Sequence, residues 1–154
     1  MTTVQPERSI ASLLLDAARQ DLAAARLLAP APDLSDAVVG FHAQQAVEKS
    51  IKAVLSARGI EFRRTHDLVF LLEVLGDNGL PLPPGADWLD ELNPYAVEAR
   101  YGTVEPDRLD RQRRAAPAHG RRLRQAWRND QAFAFAAPEL ELELHERRVE
   151  LRVR

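Results

Sequence analysis

Residues 41–55, FHAQQAVEKSIKAVL, decide how the rest of the chain is read. On a helical wheel Ala43, Val47, Ile51, Val54 and Leu55 share one sector, the core face of an amphipathic helix. His42, Gln45, Lys49 and Lys52 gather roughly opposite. Gln44 and Glu48 fall beside Ile51 and Leu55, so they stand at the edge of the core. A carboxylate held there needs a partner, because burying it unpaired costs several kcal/mol. Arg100 and His66 are the candidates. Lys49 and Lys52 are the only lysines among 21 basic residues. They read either as a solvated face, with Glu48 and Lys52 as an i,i+4 pair, or as cations looking outward and open to an anion.

Working outward, Ile10, Leu13, Leu14, Ala17, Ala18, Leu22, Ala25 and Leu28 fall at helical spacing, with Ser9 as a cap. The segment PAPDLSD breaks this first helix, and Asp33 or Ser35 caps a second that runs from Leu34 to Arg58 and stops at Gly59. The third, HDLVFLLEVL, takes Thr65 as its cap, buries Leu68, Leu71, Leu72 and Leu75, and stops at GDNG. A fourth begins near Ala86 and carries Trp88, Leu89, Leu92, Tyr95 and Ala96. Pro94 kinks it or sits in its first turn after a break. From Pro106 to Asp130 the pattern predicts a fifth helix, kinked by Pro117 and Gly120. Beyond it, LELELHERRVELRV alternates apolar and charged residues with the period of a strand, turn and strand. The fold class is therefore all-α: an antiparallel up-and-down bundle of four to five helices over residues 1–130, with a short C-terminal β-hairpin in residues 131–154.

Composition bounds the chemistry. The 154 residues fit one domain with a single core. The 21 basic residues face 23 acidic ones, so no global field attracts nucleic acid or an anionic membrane. Arginine supplies almost all the positive charge, a usage typical of GC-rich bacterial genomes. Cysteine is absent, which excludes disulfides, thiolate nucleophiles and cysteine-ligated zinc. The start MTTVQPERS lacks the organisation of a secretory signal, and no apolar run approaches the roughly 20 residues of a membrane span. A cytoplasmic location without membrane contact is expected. His42, His66, His119 and His145 show no metal-ligand spacing, and glycine-rich phosphate loops and a GxSxG elbow are absent. No metal and no cofactor is expected.

Positive charge does cluster locally. Arg108, Arg111, Arg113, Arg114, Arg121, Arg122, Arg124 and Arg128 are interrupted only by Asp107, Asp110 and, at the end, Asp130. Guanidinium groups pair bidentately with phosphate, and Tyr101 and Trp127 offer rings on which a base stacks. The alternative is a solvated helix face that pairs with acidic groups of a partner.

Three segments in order, QQAVEKSIKAVL, THDLVFLLEVL and YAVEARYG, resemble the HEPN family, the higher eukaryotes and prokaryotes nucleotide-binding domain. The likeness covers roughly residues 9–130 and implies a compact helical bundle that forms a homodimer. It also implies a partner, a small nucleotidyltransferase encoded alongside, with which such proteins form toxin and antitoxin pairs. This chain has no Gly-Ser start with paired aspartates, so it is not that enzyme itself. The resemblance points to nucleotide or RNA-phosphate binding in a cleft lined by Lys49, Lys52, His66, Arg100 and Tyr101, with Glu48 as the structural pairing group.

Active members of the family cut RNA without metal, using an Arg followed after four to six residues by His. Arg100 is followed by YGTVEPD, so the motif is missing at that place. Arg114 and His119 reproduce the spacing further along, with AAPA between them. In that arrangement the His moves the proton of the 2′-hydroxyl or of the leaving oxygen, and the Arg stabilises charge on the phosphate. Three functions thus stand open: a nucleotide- or RNA-phosphate-binding component of a toxin and antitoxin pair, a metal-independent endoribonuclease using Arg114 and His119, and a non-catalytic dimeric interaction module.

Overall fold

The computed structural model describes residues 9–83 and 85–101, without the side chains of 98–101. The expected fifth helix, the C-terminal hairpin, the arginine cluster and the Arg114 and His119 pair all lie outside the described residues. Every regular element within them is helical: α1 (Ile10–Leu28), α2 (Asp36–Ala57), α3 (Leu68–Asp77), a 3-10 turn (Leu89–Leu92) and α4 (Asn93–Tyr101).

Local chemistry explains the boundaries. Ser9 caps α1, its hydroxyl accepting from the Ser12 amide at 3.2 Å. α2 and α3 end in the same way. Gly59 and Gly79 take positive φ, and the amides of Ile60 and Leu80 reach back to the carbonyls of Leu55 and Leu75 at 2.9 and 3.0 Å. Pro94 sits in the first turn of α4, directly after the 3-10 turn, which is the break its missing amide requires. Two expectations need correcting. Ser35 is the cap residue of α2, but its side chain makes no capping bond. The cap of α3 is Asp67, not Thr65: Asp67 Oδ1 accepts from the Val69 amide at 3.0 Å, while Thr65 Oγ1 accepts from the Asp67 amide at 3.0 Å and shapes the turn before it.

α1 and α2 form an antiparallel pair. Leu15 packs with Ala53, Asp21 meets His42 and Lys49, and Ala25 and Ala29 cluster with Val39 and Ala43. Along this seam α1 presents Ala11, Leu15, Ala18, Leu22, Ala25 and Ala29, and α2 presents Val39, Ala43, Ala46, Ser50, Ala53 and Ala57. Both series alternate steps of four and three residues, the coiled-coil repeat. Alanines at most of these positions let the helix backbones approach closely. The other side of α2 is packed with bulk instead: Ile51, Leu55, Leu68, Leu71, Leu75, Leu89 and Leu92 are all completely or almost completely buried. Gly40 belongs to this second side, because a Cβ there would lie 2.6 Å from the Tyr95 ring of α4. α2 is therefore the axis of the described bundle, apposed to α1, α3, the 3-10 turn and α4.

Candidate functional site

A central helix touched on several sides has little surface left for its polar residues, and α2 resolves this with hydrogen bonds. Gln44, Glu48 and Lys52 follow one another at i,i+4 along one edge, and each reaches the loop that leads into α3. Lys52 Nζ donates to Glu48 Oε1 at 2.7 Å and to the Thr65 carbonyl at 2.6 Å. Gln44 Nε2 donates to Glu48 Oε2 at 2.8 Å and to the His66 carbonyl at 3.1 Å. Gln44 Oε1 accepts from Gln45 Nε2 at 2.8 Å. Gln44 is wholly buried, yet both its amide hydrogens and its oxygen are used, which is the condition under which burying an amide is tolerable.

His66 completes the cluster, its Nδ1 lying 3.0 Å from each oxygen of Glu48. Glu48 is only 3% exposed. Burial pushes its carboxyl up, but hydrogen bonds from Lys52, Gln44 and His66 and the charge of Lys52 together outweigh it, so the group is held below its ordinary value. An ionised carboxylate only accepts, so the His66 hydrogen sits on Nδ1. This fixes how the ring is held on Glu48, with the side chain 45% exposed.

The backbone around His66 is held from a third direction. Asn93, the first residue of α4, accepts from the Leu68 amide at 2.8 Å and donates to Asp67 Oδ1 at 3.0 Å. The imidazole therefore stands where α2, the start of α3 and the start of α4 meet.

A second carboxylate lies between α1 and α2. Asp21 Oδ2 accepts from Lys49 Nζ at 2.5 Å, and Asp21 Oδ1 lies 3.0 Å from His42 Nδ1. The Asp21 side chain is 14% exposed. Nothing in the sequence reading had pointed to Asp21 or Asn93, whose partners lie 21 to 28 residues away.

The expected site residues are thus placed as follows. Glu48 and His66 are brought together as a pair. Lys52 joins them, and Lys49 turns to α1; neither lysine looks outward as an unbalanced cation. Gln45, assigned to the outer face by its wheel position, is buried, because α2 is covered on more than one side. Arg100 and Tyr101 lie on the last turn of α4, with side chains outside the described set. Among the described residues no helix is long and apolar enough to cross a membrane, and no group of three or more His, Asp or Glu side chains gathers as metal ligands would.

A compact helical bundle is what the HEPN resemblance implies, and the described residues form one. A profile of the HEPN domain matches residues 11–118, and the chain belongs to that family. It is also similar to a curated protein of Methanocaldococcus jannaschii named "Putative toxin MJ1304", with 44% identity over 54 residues, 35% of this chain and 34% of that protein. The match thus spans about a third of the relative's length. No solved structure matches.

Proposed function

We propose that this chain is the HEPN component of a two-gene toxin and antitoxin pair and binds a nucleotide or an RNA phosphate beside His66. Its partner in this reading is a small nucleotidyltransferase, and the chain acts as a homodimer. Family membership and the toxin name carried by the Methanocaldococcus protein support the first part. The observation that carries the second is His66 itself: a half-exposed imidazole held by a buried, ionised carboxylate where α2, the start of α3 and the start of α4 meet. Arg100 and Tyr101, on the last turn of α4, supply a guanidinium for phosphate and a ring for a base. Lys49 and Lys52 act within the site by holding the carboxylates that orient the imidazoles.

Titration of the full chain with a short single-stranded oligoribonucleotide tests this. Binding that weakens steeply with added salt is expected, because phosphate contacts release counterions. His66→Asn keeps a donor facing Glu48 and removes the second ring nitrogen. Combined with Arg100→Ala it should lower affinity at least tenfold while the circular dichroism spectrum is unchanged. Unaltered affinity in that double variant overturns the site.

A second reading is a metal-independent endoribonuclease using Arg114 and His119, favoured by the toxin name of the relative; Arg114 lies inside the matched segment and His119 one residue beyond it. It requires RNA cleavage in the presence of chelator that His119→Ala abolishes.

A further inference from the structure

The loop from α2 to α3 sorts its side chains as it leaves Gly59: Ile60 and Phe62 pack against the core, while Glu61, Arg63 and Arg64 are exposed. Its far end is held by α2, since the Thr65 carbonyl accepts from Lys52 at 2.6 Å and the His66 carbonyl from Gln44 at 3.1 Å. The two arginines therefore stand on backbone fixed from both sides. Arg63 is ordered further, its guanidinium lying 4.1 Å from the centroid of the Phe70 ring on α3. A guanidinium stacked by its face keeps the N–H groups of its edge for a ligand. Charge sets this pair apart. Acidic residues outnumber basic ones in residues 9–101. Lys49 and Lys52 are engaged by Asp21 and Glu48, Arg19 by Asp16, and Arg26 and Arg58 have partners of their own. Among the described residues neither Arg63 nor Arg64 has a carboxylate within ion-pair distance, although Glu61 is close in the chain.

We infer that Arg63 and Arg64 bind consecutive phosphodiester groups of a single RNA strand. The inference rests, for its ligand class, on the reading of the neighbouring His66 site as one for RNA phosphate, and it extends the bound surface back along the loop. With Arg63 held on Phe70, Arg64 beside it is left to reach a separate anion, and a strand offers phosphates in series. Both guanidinium groups are charged at any pH at which the protein folds, so this contact needs no proton uptake. The acidic balance of the remaining described surface repels a polyanion, which directs the strand to the loop. Fixing the backbone and stacking Arg63 before the ligand arrives reduces the ordering that binding has to impose. A strand is favoured over an acidic peptide because the loop runs directly into His66, where RNA phosphate is already placed by that reading.

Binding of the full chain to a single-stranded oligoribonucleotide lacking terminal phosphates, repeated across salt concentrations, tests this. Arg63→Gln with Arg64→Gln should weaken binding about tenfold or more at low salt, the loss of two charge-assisted contacts. The slope of log affinity against log salt should become shallower by about 1.4, and by about 0.7 for Arg64→Gln alone. The single variant guards against a folding artefact, because the Arg64 side chain has no partner among the described residues. Lysine at both positions should keep the slope. Weaker binding with an unchanged slope would mean that the loop acts structurally, and it overturns the inference, as does unaltered binding by the double variant. If Arg63→Gln with Arg64→Gln binds normally while His66→Asn with Arg100→Ala does not, the loop contact fails and the His66 site stands. The reverse outcome keeps the loop contact and removes the His66 site, and if neither pair of substitutions alters binding, both fail. An oligoglutamate of equal length bound as tightly as the RNA would show that the arginines serve an acidic protein partner, which also overturns the inference.

Discussion

Glu48 and Asp21 do related work under different conditions. Glu48 is 3% exposed and takes hydrogen bonds from three residues, two of them on its own helix. Asp21 is more open and binds two residues, both from the neighbouring helix. The difference teaches which ion pairs hold a fold and which tune a site. A carboxylate with almost no water around it depends wholly on its partners, because losing one leaves a charge that the medium does not compensate. One that water still reaches loses less when a partner goes.

The contrast is open to direct tests. Glu48→Ala should have the largest effect, about 3–5 kcal/mol in urea unfolding at neutral pH, because it strands the Lys52 ammonium and a hydrogen of the buried Gln44 amide. A loss below about 1 kcal/mol would reduce Glu48 to an ordinary surface i,i+4 partner and break the comparison. Asp21→Ala should cost less, about 1–2 kcal/mol by the same measurement, since Lys49 and His42 retain access to water. Equal losses at the two positions would show that burial does not separate them.

The smallest effect is one of pH. Glu48 is held below its ordinary value of 4.5 in the folded chain, so the folded state binds its proton less readily than the unfolded state. Its contribution is therefore complete above about 4.5 and is lost as the pH falls through the lowered folded value. Unfolding free energy measured downward from pH 5 should decline in the unaltered protein, and Glu48→Gln should decline less steeply. Parallel profiles would show that the lowered value has no weight in stability.

Much of this was legible in the chain. The core residues of α2, the Ser9 cap, the stops at Gly59 and before Gly79, and the place of Pro94 all follow from side-chain period and backbone chemistry within a few residues. Glu48 was recognisable as an internal anchor because an acidic side chain beside Ile51 and Leu55 cannot stand unpaired. His66 was one of two named partners, and it is found on Glu48. Other readings missed. Thr65 and Asp67 both suit a cap; the helix uses Asp67, whose side chain accepts from the Val69 amide and from Asn93 of α4. The alanine seam was visible as a run of steps of four and three in each helix, a signal passed over because alanine carries little weight in a search for bulky apolar faces.

What the sequence alone determined is where α1, α2 and α3 run and where they stop, and the requirement that Glu48 be paired, since these depend on groups within a turn or two of one another. What only the tertiary structure decided is which side chains from distant segments complete that pairing. Lys49 reaches Asp21, His42 shares it, and Lys52 turns from solvent to the Thr65 carbonyl. Charge and spacing allow a lysine many partners. The apposition of α1 and the α3 loop to α2 selects one, because removing water from both groups makes the contact between them the lowest-energy arrangement left.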